Sequence, residues 1–236
     1  ANGDSVLVGT YFADNRAGRD GGALWLDGGG QIGNTTFWDN RAEADGGAIA
    51  HGDRLVLAST TLTGNAATGS GSQGGATFTD ADGELVAEGV LAVLNSAEEG
   101  PDLAASSGTT FRNEGGNVLG TGATGFLVTE VSSYDYGAIV GTDVAPETLF
   151  ATTGLAPRTE TVTGLPSLGA GEGPTIALAA GFGNPAIDSV PQDAAFMVDE
   201  AEVGVLGLDV TRDGDAADTL SDFGQIPFDA RGPGFD

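Results

Sequence analysis

A short pattern returns three times near the start of the chain at a fixed interval. Phe12-Ala13-Asp14-Asn15 precedes Gly21-Gly22-Ala23-Leu24, Phe37-Trp38-Asp39-Asn40 precedes Gly46-Gly47-Ala48-Ile49, and Leu62-Thr63-Gly64-Asn65 precedes Gly74-Gly75-Ala76-Thr77. The Phe/Leu positions lie 25 residues apart twice, and the glycine pairs 25 and then 28 apart. A repeat of this length without apolar residues at i, i+3, i+4 and i+7 argues against helical repeats. It points instead to a solenoid whose coil is two or three short strands joined by tight corners.

Stacking such coils sets each strand beside its equivalent one coil away, in parallel. Phe12, Phe37 and Leu62 then form one interior column, and Asn15, Asn40 and Asn65 a second, placed at a corner where side-chain amides can bond from coil to coil. Both columns read as structural. The glycine pairs supply positive φ and close backbone approach. Between Gly46 and Asn65 the alternation suits strands, with Ala48, Ala50, Leu55, Leu57 and Leu62 inward and His51, Arg54, Thr61 and Thr63 outward. The three extra residues of the third repeat fall within Thr68-Gly69-Ser70-Gly71-Ser72, which reads as a surface loop.

Charge restricts the partners. The chain carries 34 acidic residues against 8 basic ones, all arginine, for a net charge of −26. Such a surface repels phosphate backbones and anionic membranes, which excludes nucleic acid as a partner. The acids are dispersed, as on a solvated face, and a saline or calcium-containing exterior would screen their repulsion. Cysteine is absent, so neither a disulfide framework nor thiol chemistry is available. No apolar run approaches the roughly 20 residues of a spanning helix, so membrane insertion by this chain is not expected. Ala1-Asn2-Gly3-Asp4-Ser5 is not a signal peptide, and the chain starts inside a repeat, as a fragment or processed product would.

The first 80 residues resemble the polymorphic outer membrane protein repeats of bacterial surface proteins, whose paired Gly-Gly-Ala-Ile/Leu and Phe-x-x-Asn motifs stand here three times in order. Asn95-Ser96 with Gly100-Pro101-Asp102-Leu103, then Gly115-Gly116-Asn117-Val118-Leu119-Gly120, is similar to the continuation in choice-of-anchor Q domain proteins. Gly173-Pro174-Thr175, Ala177-Leu178, Gly183-Asn184-Pro185-Ala186-Ile187-Asp188 and Asp229-Ala230-Arg231-Gly232 follow that family's closing order. The resemblance implies a right-handed parallel β-helix, exported and held at the cell surface or released, with an adhesive or structural role. The family continues beyond the Arg-Gly pair into a further strand, whereas this sequence stops at Asp236, and its lack of lysine is extreme.

The closing segment is also readable from its residues. Asn184-Pro185 marks a turn, Asp188 can accept from backbone N–H groups, and Arg231 suits a bidentate bond to Asp188 or Asp229. Residues 174–232 thereby read as a cap against end-to-end strand pairing.

Catalytic constellations are sparse. Lyases on β-helices use a Lys or Arg base, often with calcium, and here lysine is absent and the arginines are scattered. Arg16 and Arg41, 25 residues apart and followed by Ala66, stack on one face, where they either bind a carboxylate beside His51 or offset Asp14, Asp39 and Asp45. Asp14 and Asp39 align by register, but stacked carboxylates without a distinguishing environment give no acid/base pair. His51 is the sole histidine, which excludes a multi-histidine zinc site. Calcium is the one ligand suggested, through Asp80-Ala81-Asp82-Gly83-Glu84 and Asp213-Gly214-Asp215 with Asp218, where hard oxygens recur in Gly-containing loops; acidic turns without metal are the other reading.

The sequence therefore predicts an all-β, right-handed parallel β-helix, with coils over 1–165 and a less regular cap over 166–236 of the same elongated domain. Its expected role is non-enzymatic: an exported structural or adhesive module whose partners are other copies, head to tail or side by side, or an extracellular surface or glycan. The alternative is a β-helix that binds or cleaves polysaccharide, with Trp25 and Trp38 as sugar platforms and Trp38 outward if Phe37 is inward.

Overall fold

The computed structural model describes residues 5–115, 117–121 and 123–130. They wind into about five coils of a parallel β-solenoid, with no helix among them. The first coil is β1 (Ser5–Val8), β2 (Tyr11–Ala13), β3 (Arg16–Ala17) and β4 (Leu24–Leu26). The second is β5 (Gly30–Gly33), β6 (Thr36–Trp38), β7 (Arg41–Ala42) and β8 (Ile49–His51). The third is β9 (Arg54–Ala58), β10 (Thr61–Thr63), β11 (Ala66–Ala67) and β12 (Thr77–Thr79). Next come β13 (Glu84–Glu88), β14 (Leu91–Val93) and β15 (Leu103–Ala105), then β16 (Thr110–Gly115), β17 (Val118–Leu119) and β18 (Ala123–Thr124), and β19 (Leu127–Glu130) opens a further turn.

Equivalent strands pair in parallel and form four sheets. The longest runs β1-β5-β9-β13-β16-β19, the second β2-β6-β10-β14-β17, the third β3-β7-β11 and the fourth β4-β8-β12-β15-β18. Phe12 pairs with Phe37, Phe37 with Leu62 and Leu62 with Ala92, as the repeat interval dictates. The Phe12 and Phe37 rings stack with centroids 4.9 Å apart and planes 4° from parallel. The core continues with Ile32, Ile49, Leu55, Leu57, Leu85, Leu103, Phe111 and Leu119, all essentially inaccessible to water. Burying each such side chain stabilises the coil stack by roughly 1.5–3 kcal/mol.

The corners depend on left-handed backbone. Asp14, Asp39, Gly64 and Leu94 take φ of 53°, 48°, 68° and 59° immediately before each ladder asparagine. In the glycine pairs the two members have different jobs. Gly46 has φ 66°, whereas Gly47 packs so closely that a Cβ there would lie 2.2 Å from the Gly75 carbonyl oxygen of the next coil. The 68–72 loop is largely exposed, although Ser72 is buried with its hydroxyl donating to the Ala67 carbonyl at 2.9 Å.

The inside/outside assignment on β8 differs from the sequence expectation. Ile49 and His51 occupy interior columns, paired with Leu24 and Leu26 below and Thr77 and Thr79 above, while Ala50 lies in the outward column between Trp25 and Phe78. Thr63 is also fully buried, although it lies on the outward side of its strand next to Leu62. The closing motif, including Asp188, Asp229 and Arg231, lies outside the described residues, as does the cap over 166–236.

Candidate functional site

The most organised polar feature is the asparagine ladder at the corner after β2, β6, β10 and β14. Asn15 Nδ2 donates to Asn40 Oδ1 at 2.8 Å, Asn40 Nδ2 to Asn65 Oδ1 at 2.9 Å, and Asn65 Nδ2 to Asn95 Oδ1 at 3.0 Å. Each acceptor oxygen also takes the backbone N–H of the preceding asparagine, at 3.1, 3.0 and 2.9 Å. The second amide hydrogen goes back one coil: Asn40 to Phe12 O, Asn65 to Phe37 O and Asn95 to Leu62 O. Two donors and two acceptor positions are thus used on Asn40 and Asn65, which satisfies a buried amide fully.

Asp102 terminates this ladder. The Asp102 side chain is buried beside Asn95. Its Oδ1 accepts from Asn95 Nδ2 at 2.9 Å, and its Oδ2 accepts from Thr121 N at 2.6 Å and Thr121 Oγ1 at 2.9 Å. Burial raises its pKa, and these donors, Asn95 first, oppose the rise.

A second ladder stands at the corner before β2, β6 and β10. Thr10, Thr35 and Thr60 turn their hydroxyls to the carbonyls of Val8, Gly33 and Ala58 at 3.1, 2.8 and 2.8 Å. These threonines repeat at the same interval of 25 as the phenylalanines, which is the signal that marks them.

The outward candidates separate. Arg16, Arg41 and Ala66 share one column, as their spacing requires. Arg16 Nη2 pairs with Asp14 Oδ1 at 2.6 Å and Arg41 Nη2 with Asp39 Oδ1 at 3.4 Å, all on exposed or half-exposed side chains. This is charge offset within each coil, and His51 is no part of it. His51 is buried, its Nδ1–H donating to the Asp53 carbonyl at 2.8 Å and its Nε2 accepting from Thr79 Oγ1 at 2.7 Å. Burial lowers its pKa to about 4, so the ring is neutral near pH 7. A neutral imidazole with both nitrogens engaged offers nothing to a ligand, and the expected outward position is corrected by this geometry.

Trp25 is 54% exposed on the outward column of the fourth sheet, and half-buried Phe78 lies two coils along the same column. Trp38 is half-buried, with Gly64 beside its indole nitrogen. Asp80 and Asp82 are exposed, but Asp80 Oδ1 is already used by the Ala81 N–H at 2.7 Å and the Ser106 hydroxyl at 3.2 Å. Among the described residues no group of three or more His, Asp or Glu side chains is arranged to hold a metal. Asp213, Asp215 and Asp218 lie outside the described residues.

Asp45 is a further acid of altered character. Burial raises its pKa, the Gln73 N–H bonded to Oδ1 at 2.7 Å opposes this, and Asp20 and Asp80 add smaller upward pushes. Its backbone N–H donates to Asp20 Oδ1 at 3.2 Å, so these acids order neighbouring loops. No family model, curated protein or solved structure matches the chain.

Proposed function

We propose that this chain is a structural module of an exported, cell-surface or extracellular protein, kin to the polymorphic outer membrane protein and choice-of-anchor Q group. In this reading it is a scaffold and not an enzyme. The observation that carries the reading is the amide ladder from Asn15 to Asn95. Its polar groups are spent on holding coils together, so this investment stiffens the solenoid and leaves its lateral faces and ends to meet partners. The acidic surface suits a saline or divalent-rich exterior.

Antibody labelling of unpermeabilised cells that express the full protein, together with electron microscopy of the purified chain, tests the proposal. Surface labelling and rods that lengthen with concentration support a scaffold that assembles through its ends. Labelling only after permeabilisation, or release of reducing ends from a polysaccharide, would sink it.

The exposed Trp25, with Phe78 two coils along the same outward column, favours a second reading in which the fourth sheet binds a glycan. A glycan array comparing the wild-type chain with Trp25→Ala tests that, and equal signals from both would discard it.

A further inference from the structure

The fourth sheet sets aromatic rings and carboxylates side by side on its outward face. Trp25, Ala50 and Phe78 occupy one outward column in adjacent coils, with Trp25 54% exposed and Phe78 half-buried. The register runs one residue past the strands, because the Gly52 N–H donates to the Leu26 carbonyl at 3.0 Å and the Asp80 N–H to the His51 carbonyl at 2.8 Å. Asp27, Gly52 and Asp80 therefore form a second column, two residues on from the first and on the same face by strand alternation. The first coil presents Trp25 with Asp27 and the third presents Phe78 with Asp80, while the coil between them offers only Ala50 and Gly52.

Both carboxylates are available. Asp27 is exposed and makes no hydrogen bond or ion pair with the described residues. Asp80 is exposed too, and its bonds to the Ala81 N–H and the Ser106 hydroxyl use Oδ1 and leave Oδ2 open. Arg54, the basic residue closest to Gly52 in sequence, is paired with Glu84 at 3.1 Å. Gly52 leaves room between the two acids, since a Cβ there would meet only the Asp27 carbonyl oxygen, 3.8 Å away. The face is thus aromatic along one edge and anionic, without counter-charge, along the other.

We infer that this face takes a glycan whose sugars carry free amino groups, an extended β-1,4-linked chain of hexosamines lying along the solenoid axis. The inference rests on the second reading above, that the fourth sheet binds a glycan, and adds the chemical class. Exposed aromatic rings offer a flat surface to the C–H face of a sugar and attract a nearby ammonium. Trp25 and Phe78 stand two coils apart, about 10 Å at the spacing of neighbouring strands, and two sugars of such a chain advance by a similar distance. Because successive sugars are turned over, alternate ones present the same face and the same amino edge. One sugar then rests on Trp25 with its ammonium toward Asp27, and the next but one on Phe78 with its ammonium toward Asp80. N-acetylated and uncharged sugars leave both carboxylates without counter-charge, and uronates are repelled by them.

Calorimetric titration of the full chain compares three hexamers that differ only at carbon 2 of the sugar: glucosamine, N-acetylglucosamine and glucose. The glucosamine hexamer is expected to bind at least about 10-fold more tightly than the other two. Trp25→Ala should weaken it about 5-fold or more, and Asp27→Asn/Asp80→Asn about 10-fold or more. Gly52→Gln fills the gap without changing the charge and should weaken it as well, whereas Glu43→Gln/Glu99→Gln, at exposed acids elsewhere, should not. Circular dichroism confirms that each variant is folded. Equal, Trp25-dependent binding of all three hexamers would overturn the amino-sugar inference and leave the glycan reading standing; no Trp25-dependent binding of any hexamer would remove both. Glucosamine binding untouched by Trp25→Ala and Gly52→Gln would be diffuse attraction to an acidic chain and would overturn the inference. Tighter capture of an arginine-rich hexapeptide, sensitive to the same variants, would make the face a peptide site and overturn it too.

Discussion

Replacing Asn65 by alanine probes the ladder where it is fully buried. The substitution removes four bonds: Nδ2 to Phe37 O and Asn95 Oδ1, and Oδ1 from the Asn40 N–H and Asn40 Nδ2. Asn95 Oδ1 keeps the Asn65 backbone N–H, so the severe losses are two buried donors of Asn40 and one buried carbonyl. At about 1–3 kcal/mol for each buried group left without a partner, and with partial relaxation, the cost is about 3–5 kcal/mol. That is a large share of the roughly 5–15 kcal/mol that holds a typical fold. Asn15→Ala is the internal reference, because Asn15 is exposed and its side chain makes a single ladder bond; its cost should stay below about 1 kcal/mol. Urea unfolding followed by far-ultraviolet circular dichroism, with the slope checked for constancy, measures both. Equal midpoints for the two variants would refute the claim that the buried amides hold the coils together.

The remaining expectations concern glycine, the terminating acid and the histidine. Gly47→Ala should cost more than about 3 kcal/mol or prevent folding, because its Cβ would lie 2.2 Å from Gly75 O, whereas Gly52→Ala, whose nearest neighbour would be 3.8 Å away, should be near neutral; thermal melts compare them. Asp102→Ala should cost about 2–4 kcal/mol by stripping Asn95 and Thr121 of their acceptor, and an unchanged urea midpoint would count against its role as terminator. Because burial raises the Asp102 pKa, its titration favours the fold at low pH, and that contribution fades as pH rises through the raised folded value. His51 works in the opposite sense. Its folded pKa near 4 lies below the ordinary 6.5, so the stability it contributes is complete above about 6.5 and is lost as pH falls toward 4. The single histidine gives one NMR titration, and a midpoint at 6 or higher would contradict its buried, doubly bonded placement.

The coil and its principal columns were legible because they are written at one interval. Phe12, Phe37 and Leu62, and Asn15, Asn40 and Asn65, meet in the register that counting by 25 requires. At the next coil the interval stretches to 30 and hides Ala92 and Asn95 as successors of Leu62 and Asn65. The threonines at 10, 35 and 60 obey the same interval, but threonine is so common in β-rich sequence that the repeat alone does not distinguish them. Polarity alone puts His51 outside. Its two hydrogen bonds, to Asp53 and Thr79, make the interior acceptable. Asp102 is not marked by the repeat interval, because its partners Asn95 and Thr121 reach it from 7 and 19 residues away.

Spin labels at the exposed positions Arg16 and Arg41 test the stacking of coils directly. The two residues are paired in adjacent parallel strands, and neighbouring strands lie about 4.8 Å apart. Labels on an Arg16→Cys/Arg41→Cys chain should broaden the continuous-wave resonance spectrum strongly relative to the sum of the two single-label spectra. A double-label spectrum identical to that sum would show that residues one repeat apart are not neighbours, and the solenoid would fall with it.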